Sequence, residues 1–285
     1  DAGTIVMDNV KEGHQFSLTG KLAKSFNMGL KGDIAYTYMQ SKDYTSIPAE
    51  IAADAFQRNP VPGNPNDPQL SWSRYGLKHR VISSWMYTKS YSFMASHFGL
   101  FFEAGQGNRY SYTYTGDVNR DGIPFNDLIY VPENASDIHF GTVNVETGEA
   151  TEAADAAEQY AALEKYIEQD PYLKDKKGSV TERNGASLPW FSQVDIRYMH
   201  DFNFKVAGRI NTIQLSFDVM NVGNMISSNW GVRQFATTYN PISVTGIDNN
   251  NVPYMHFDKN LQDSFVDDFS TRSKWQLQIG VRYIF

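Results

Sequence analysis

The sequence predicts an all-β fold: about seven long antiparallel strands of a transmembrane β-barrel, with long extracellular loops and one short loop helix. Three observations predict it. Apolar and polar residues alternate with period two in seven segments. These segments run well past the five or six residues of an ordinary strand and meet the roughly 9–11 that a tilted membrane strand needs. Connections alternate strictly between short and long, the pattern of outer-membrane barrels. Alternating strands more often pack as a sandwich. Strand length, the turn alternation and a last strand that is apolar on one face down to Phe285 favour the barrel.

The first strand is expected at 14–26, with Phe16, Leu18, Leu22 and Phe26 opposite Gln15, Ser17, Thr19, Lys21 and Ser25. The second spans 28–45, with Met28, Leu30, Ile34, Tyr36 and Tyr38 on one face, and a very short turn at Asn27 makes the pair a hairpin. The third, at 79–89, is the least regular: Val81, Trp85 and Tyr87 share a face, but Ile82 and Met86 lie on the other. The fourth spans 93–115 and carries Met94, Phe98, Leu100 and Phe102, then Tyr110, Tyr112 and Tyr114, on even positions. Strands at 191–203, 210–233 and 271–285 complete the set, led by Val194, Ile196 and Tyr198, by Ile213, Leu215 and Phe217, and by Leu277, Ile279 and Val281. Short turns fall at Asn27, Ser90–Ser92 and Phe204–Gly208, and extracellular loops at 46–78, 116–190 and 234–270. Trp72, Trp85, Trp190, Trp230 and the Tyr110–Tyr114 run are expected in the outer aromatic girdle.

Composition is consistent with this reading once half of each strand faces a polar lumen. The 285 residues are 41% hydrophobic and 14% aromatic, and mean hydropathy is −0.46. Those values alone resemble a soluble protein, but a polar lumen and long loops dilute a barrel's hydropathy. The 17 Tyr and 18 Phe then become girdle and lipid-facing residues. With no cysteine, disulfide scaffolds, thiol nucleophiles and cysteine-ligated metals are excluded. A net charge of −7 argues against a broad nucleic-acid face. The N-terminus shows neither a Met start nor a basic-then-apolar leader, so we expect a removed signal or a piece of a longer chain.

The segment from Asp117 to Glu182 holds fifteen Asp/Glu against five Lys/Arg, more than the whole net charge. A helix is expected at Thr151–Gln169, capped by Thr151, stopped by Pro171 and solvated on the surface. Within the same segment, DVNRDGIPFND sets Asp117, Asn119 and Asp121 at positions one, three and five, followed by Gly122. Alternate spacing aims several oxygens at one point, as in a calcium loop, so Asp117, Asn119, Asp121 and Asp127 are candidate calcium ligands. Leu128 stands where the twelfth-position Glu belongs, with Asn126 or Asp127 as substitutes, and the same pattern also forms a metal-free Asx-rich turn.

Catalytic signals are poor: the six histidines are scattered, and no nucleophile elbow or P-loop occurs. Asp195 with Arg197, and Glu103 with Arg109, are expected as lumen-wall ion pairs. No enzyme is expected. Trp72 and Tyr239 are candidate ligand contacts on the loops.

Four groups of segments resemble a known family. They are MDNVKEGHQFSLTGKLAKSF (7–26) with AYTYMQSKD (35–43); NRYSYTYTGDVNRDGIPFNDLIYVP (108–132); TERNGASLPWFSQVDIRYMHDF (181–202); and LSFDVMNVGNMI (215–226) with QIGVRYIF (278–285). Together they resemble, in family order, the C-terminal part of an Oar-like TonB-dependent outer-membrane receptor of the Bacteroidota type. The resemblance implies a barrel of about 22 strands around a plug, of which this chain is the last third. It implies an outer-membrane location, with Phe285 at the periplasmic end as the signal to the barrel assembly machinery. It also implies partners: the rest of the barrel and its plug, TonB reached through a region upstream, outer-membrane lipid and a surface lipoprotein. The expected function is uptake of an extracellular ligand into the periplasm. The alternative is a non-transporting barrel scaffold or adhesin whose loops bind a partner protein.

Overall fold

The computed structural model describes residues 8–46 and 51–285. Residues 47–50 of the expected 46–78 loop, and Met7 at the head of the first family-like segment, lie outside the described residues. We number the seven long strands β1 (His14–Ser25), β2 (Leu30–Asp43), β3 (His79–Ser90), β4 (Met94–Gly105), β5 (Phe191–Val206), β6 (Arg209–Met220) and β7 (Gln276–Ile284). Each pairs antiparallel with the next in chain order, giving one up-and-down sheet, to which the two-residue strand Ser71–Trp72 adds at the end of β2. Among the described residues β1 and β7 are the open edges, and they do not pair with each other. No described helix is long and apolar enough to cross a membrane.

Register explains which face each residue takes, because a one-residue slip would move every side chain to the other side. Lys24, Gly32, Trp85, Leu100, Ile196, Val219 and Leu277 form one continuous cross-strand row. The next apolar row joins Leu30, Tyr87, Phe98, Tyr198, Phe217 and Ile279. Thus the irregular third strand is settled by its neighbours: Val81, Trp85 and Tyr87 align with the apolar rows, while Ile82 lies opposite Glu103. Gly32 sits beneath the Trp85 ring, where a Cβ would collide with the indole. His200 lies on this face, and it is satisfied locally by Ser96 Oγ at 2.9 Å and Tyr198 Oη at 3.1 Å.

Among the described residues nothing covers the apolar face: Leu22 is 77% exposed, Ile279 62% and Val281 73%. Aromatic rings collect towards both rims. Tyr36, Tyr38 and Trp190 cluster around His79 at one, and Phe204, Tyr283 and Phe285 stack at the other. The opposite face is polar and cross-linked between strands by Lys21–Asp33 (2.7 Å), Arg80–Glu103 (2.9 Å), His97–Asp201 (3.1 Å) and Arg197–Asp218. These replace the expected pairs. Glu103 takes Arg80 rather than Arg109, and Arg197 takes Asp218 rather than Asp195. Arg197 lies directly opposite Asp218, and Arg80 reaches Glu103 on the diagonal, so both pairs form between neighbouring strands rather than along one.

Three expected strands overrun the observed ones. The 93–115 strand leaves the sheet at Gly105. Gly107 lies against the Leu188 backbone and donates to the Leu188 and Pro189 carbonyls, at 3.2 and 3.1 Å. Beyond it Arg109–Tyr110 pairs instead with Ala186–Ser187. The 210–233 strand ends at Met220, where Asn221 turns left-handed (φ 54°) and opens the short helix Val222–Ile226. Asparagine tolerates that conformation better than most residues. The 271–285 strand starts only at Gln276, because Thr271–Ser273 forms a 3₁₀ turn capped by Ser270.

The three short turns share one rim and the three long connections the other, as antiparallel order requires. The tightest turn, Ala207–Gly208, joins paired Val206 and Arg209 with both residues at positive φ (49° and 83°). A two-residue hairpin of this twist demands that conformation, which alanine adopts at a cost of roughly 1–2 kcal/mol. Ala207→Asn is therefore expected to raise stability by about 0.5–1 kcal/mol, read as a higher denaturation midpoint; a lower midpoint would count against the assigned turn.

Candidate functional site

The long connections fold on one another rather than trailing from the sheet. Tyr110, Tyr112, Tyr114, Ile129, Val131 and Phe140 from the longest one pack with Leu163, Tyr166 and Ile167 of the helix Ala156–Gln169 and with Ile242, Met255 and Phe257 of the last one. The Tyr110–Tyr114 run is thus buried and does not belong to an exposed girdle. The helix is not solvated on all sides either: Gln159, Leu163, Tyr166 and Ile167 are buried. It begins at Ala156 rather than Thr151, because Thr151 pairs with Thr142 in a small strand. Asp155 stands at its N-cap, and its carboxylate holds Gln159 (2.8 Å) and Lys259 (2.6 Å). Lys259 also reaches Glu158 at 2.7 Å, and the two carboxylates push its pKa up to about 12.

Two buried polar groups anchor this assembly. Asp170, directly after the helix, accepts from Tyr112 Oη (2.6 Å) and from the Tyr172 and Leu173 amides (2.9 and 2.8 Å). Arg183 is buried, and its guanidinium reaches Asp43 Oδ1 (2.9 Å), the Asp43 carbonyl and Ser46 Oγ (3.2 Å) at the end of β2. Next to it Asn184, left-handed at φ 53°, donates through Nδ2 to the Trp72 carbonyl (2.9 Å) and accepts from Arg109 Nη1 (3.1 Å). The segment TERNGASLPW is therefore the corner where the longest connection is tied back to the sheet rim. None of these four residues, Tyr112, Asp170, Arg183 and Asn184, is legible as a site from spacing. Asp-Pro after a helical run and Asn-Gly beside an arginine are the signals that were there to find.

The structure places all four candidate calcium ligands in one turn, where their side-chain oxygens accept from backbone amides; among the described residues no three carboxylate or imidazole side chains are grouped closely enough to hold a metal. Asp117 accepts from the Asp121 amide (3.2 Å) and the Gly122 amide (2.7 Å). Asn119 Oδ1 accepts from the Asp121 amide (2.9 Å), and Asp121 Oδ1 from the Ile123 amide (2.8 Å). Asp127 Oδ2 closes the turn on the Val118 amide (2.8 Å), with the Asn119 amide at 3.4 Å. Gly122 supplies the bend at φ 85°. Leu128, in the twelfth position, is buried. Burial, with Asp121 and Asp117 adding their charges, holds the Asp127 carboxyl above the usual carboxylate range despite those two amides.

Trp72 and Tyr239 are not brought together. Trp72 lies between Lys42 (4.9 Å) and Arg109 (4.0 Å), whereas the Tyr239 ring packs on Tyr110 at 5.3 Å. Neighbouring residues of an extended segment point to opposite sides, so Arg109 and Tyr110 separate the two. Trp72 lines a rim cleft of about 660 Å³ together with Lys78, Arg109, Tyr172, Lys176 and Trp190. An arginine stacked on tryptophan offers a planar donor fork beside a flat apolar surface, a combination suited to binding rather than to bond making. Asn119 and Asp127 border a second cleft of about 470 Å³, with Tyr114, Tyr130 and Met255. No protein-family model, curated protein or solved structure matches the chain.

Removing the Tyr112 hydroxyl strands a buried carboxylate oxygen. Tyr112→Phe is expected to cost about 1–3 kcal/mol, read in chemical denaturation. Arg183→Ala leaves Asp43 without its buried partner and is expected to cost about 3–5 kcal/mol, with Arg183→Lys failing to restore the fork.

Burial raises the phenols of Tyr110, Tyr112, Tyr166 and Tyr172 above their ordinary 10.0, and pushes Tyr114 up to about 12. The fold therefore favours the neutral phenol. Its contribution is complete below pH 10 and is lost as pH rises through the folded values. Absorbance titration should find these tyrosines un-ionised at pH 10, with the loop assembly opening in the window above it; full ionisation at pH 10 in the folded protein would contradict the packing.

Proposed function

We propose that this chain is a wall segment and loop cluster of a TonB-dependent outer-membrane transporter that brings an extracellular ligand into the periplasm. The observation that carries the proposal is the register-aligned apolar face left bare across seven strands. A soluble sheet of this length would bury such a face, since exposed apolar patches beyond a few hundred Å² mark contact surfaces. Every strand has at least nine residues, from the 9 of β7 to the 16 of β5. That is long enough to cross hydrocarbon at a tilt. Aromatic rings gather near both rims, as girdles would, and aliphatic and aromatic residues share the apolar band between them.

The unpaired edges of β1 and β7 support the next step. Open edges are not tolerated in hydrocarbon, so in a membrane each must pair with further strands of a larger barrel. The polar face with its cross-strand ion pairs then lines a lumen that a plug can fill. The rim of long connections becomes the extracellular side, and its cleft around Trp72 and Arg109 a place for ligand capture. The short-turn rim, with Phe285, becomes the periplasmic side. In this reading the segment makes wall and loops, and no residue in it performs bond chemistry.

Charges placed on the two faces should behave differently. Ile196→Arg, on the apolar face, is expected to cost about 2–4 kcal/mol at mid-membrane and to deplete the intact protein from the outer-membrane fraction. Ser84→Arg, on the polar face beside Asp33, should assemble normally. Equal tolerance of both, with the protein recovered in the soluble fraction, would overturn the membrane reading. Loss of ligand accumulation on disabling TonB separates transport from a scaffold or adhesin, which would bind without accumulating.

A further inference from the structure

The Asp117–Asp127 turn holds more negative charge and more unused oxygen than a self-contained turn needs. Asp117, Asp121 and Asp127 carry three carboxylates, and among the described residues none of them pairs with a lysine, arginine or histidine within 4.0 Å. Arg120, inside the turn, points its guanidinium to Asn251 Oδ1 at 3.0 Å. Two acceptors are then left over. Asn126 is fully buried and Asp127 is 3% exposed, yet Asn126 Oδ1 and Asp127 Oδ1 have no hydrogen-bond partner. Both side chains are aimed into the cluster. The Asn126 amide lies 3.4 Å from Asp121 Oδ2, and the other Asp127 oxygen is fixed on the Val118 amide at 2.8 Å. A buried unpaired acceptor is costly, more so when charged, and two of them on consecutive residues of a turn that holds three carboxylates call for a cation.

We propose that this turn binds one calcium ion through Asp117, Asn119, Asp121, Asn126 and Asp127. The choice of ion follows from the donors. They are all oxygens, carboxylate and amide mixed, on a flexible turn, which suits the six to eight ligands of calcium. Magnesium demands a tighter octahedron and keeps several waters. The three carboxylates are not grouped closely enough to hold a metal on their own, and the proposed set relies on the amide oxygens of Asn119 and Asn126 as well. Asp127 takes the place of the missing twelfth-position glutamate. It arrives one residue earlier because Leu128 is committed to packing inside the assembly. The ion would tie the turn to the 61–63 segment, where the Val61 amide donates to the Asn126 carbonyl at 2.9 Å and Asn119 Nδ2 reaches the Gly63 carbonyl. This inference stands independently of the membrane reading.

Arg120 is exposed and left-handed inside the turn, which makes it a local reporter. The test treats the purified intact protein with a chelator, adds back calcium or magnesium, and follows trypsin cleavage after Arg120 by mass spectrometry. Calcium should slow that cut by about tenfold or more, with magnesium far less effective. Asp127→Asn should fold, because its amide oxygen still accepts from the Val118 amide, but it should lose the protection. Terbium luminescence, sensitised by the nearby Tyr114, should show one bound ion in the parent and none in the variant. Equal cleavage in calcium and chelator, or equal protection of parent and variant, would overturn the proposal.

Discussion

The structure depends on one constraint: consecutive strands pair antiparallel in a register that never slips. The ladder from β1 to β7 aligns each strand's apolar positions with its neighbour's, so a pattern legible in one strand becomes a face seven strands wide. The same order puts every short turn on one rim and every long connection on the other. Sheet polarity, the two-residue hairpin at Ala207–Gly208 and the gathering of chemistry at one end all follow from it.

Crowded on one rim, the long connections must bury apolar surface against each other. They do so around a tyrosine-rich core whose hydroxyls need partners, and Asp170 supplies the innermost one. Arg183 with Asp43 and Ser46, and Asn184 with Trp72, then fix that core to the sheet. The cleft beside Trp72 and the carboxylate turn at Asp117–Asp127 are shaped by the same packing. The rim of long connections thus has a core of its own rather than relying on the sheet for shape.

The long strands were legible because period-two alternation is a local property. Their ends were less so. Gly105–Gln106–Gly107 breaks β4, but the tyrosines beyond it keep the alternation, and only the Ala186–Ser187 partner shows that they have left the sheet. The helix is legible, yet its buried face is not, since Leu163 and Ile167 alone do not reveal that Tyr166 and Gln159 are covered. Cross-strand ion pairs cannot be assigned until register is known, which is why Glu103 was matched to Arg109 instead of Arg80. The carboxylate turn was readable from spacing alone, because Asx residues at alternate positions act within a few residues of themselves. Arg183 was invisible for the opposite reason: its partner lies 140 residues away.

If the bare face meets lipid and the polar face meets water, labels along one strand must alternate between the two. The chain has no cysteine, so single labels can be placed without background. Spin labels at Val194→Cys, Asp195→Cys, Ile196→Cys, Arg197→Cys and Tyr198→Cys of β5, in the intact protein in bilayers, report contact with oxygen or with a water-soluble relaxer. Period-two alternation is expected: labels at 194, 196 and 198 collide with oxygen, and those at 195 and 197 with the water-soluble reagent or with neither. Labels at 194, 196 and 198 that meet the water-soluble reagent freely would contradict it.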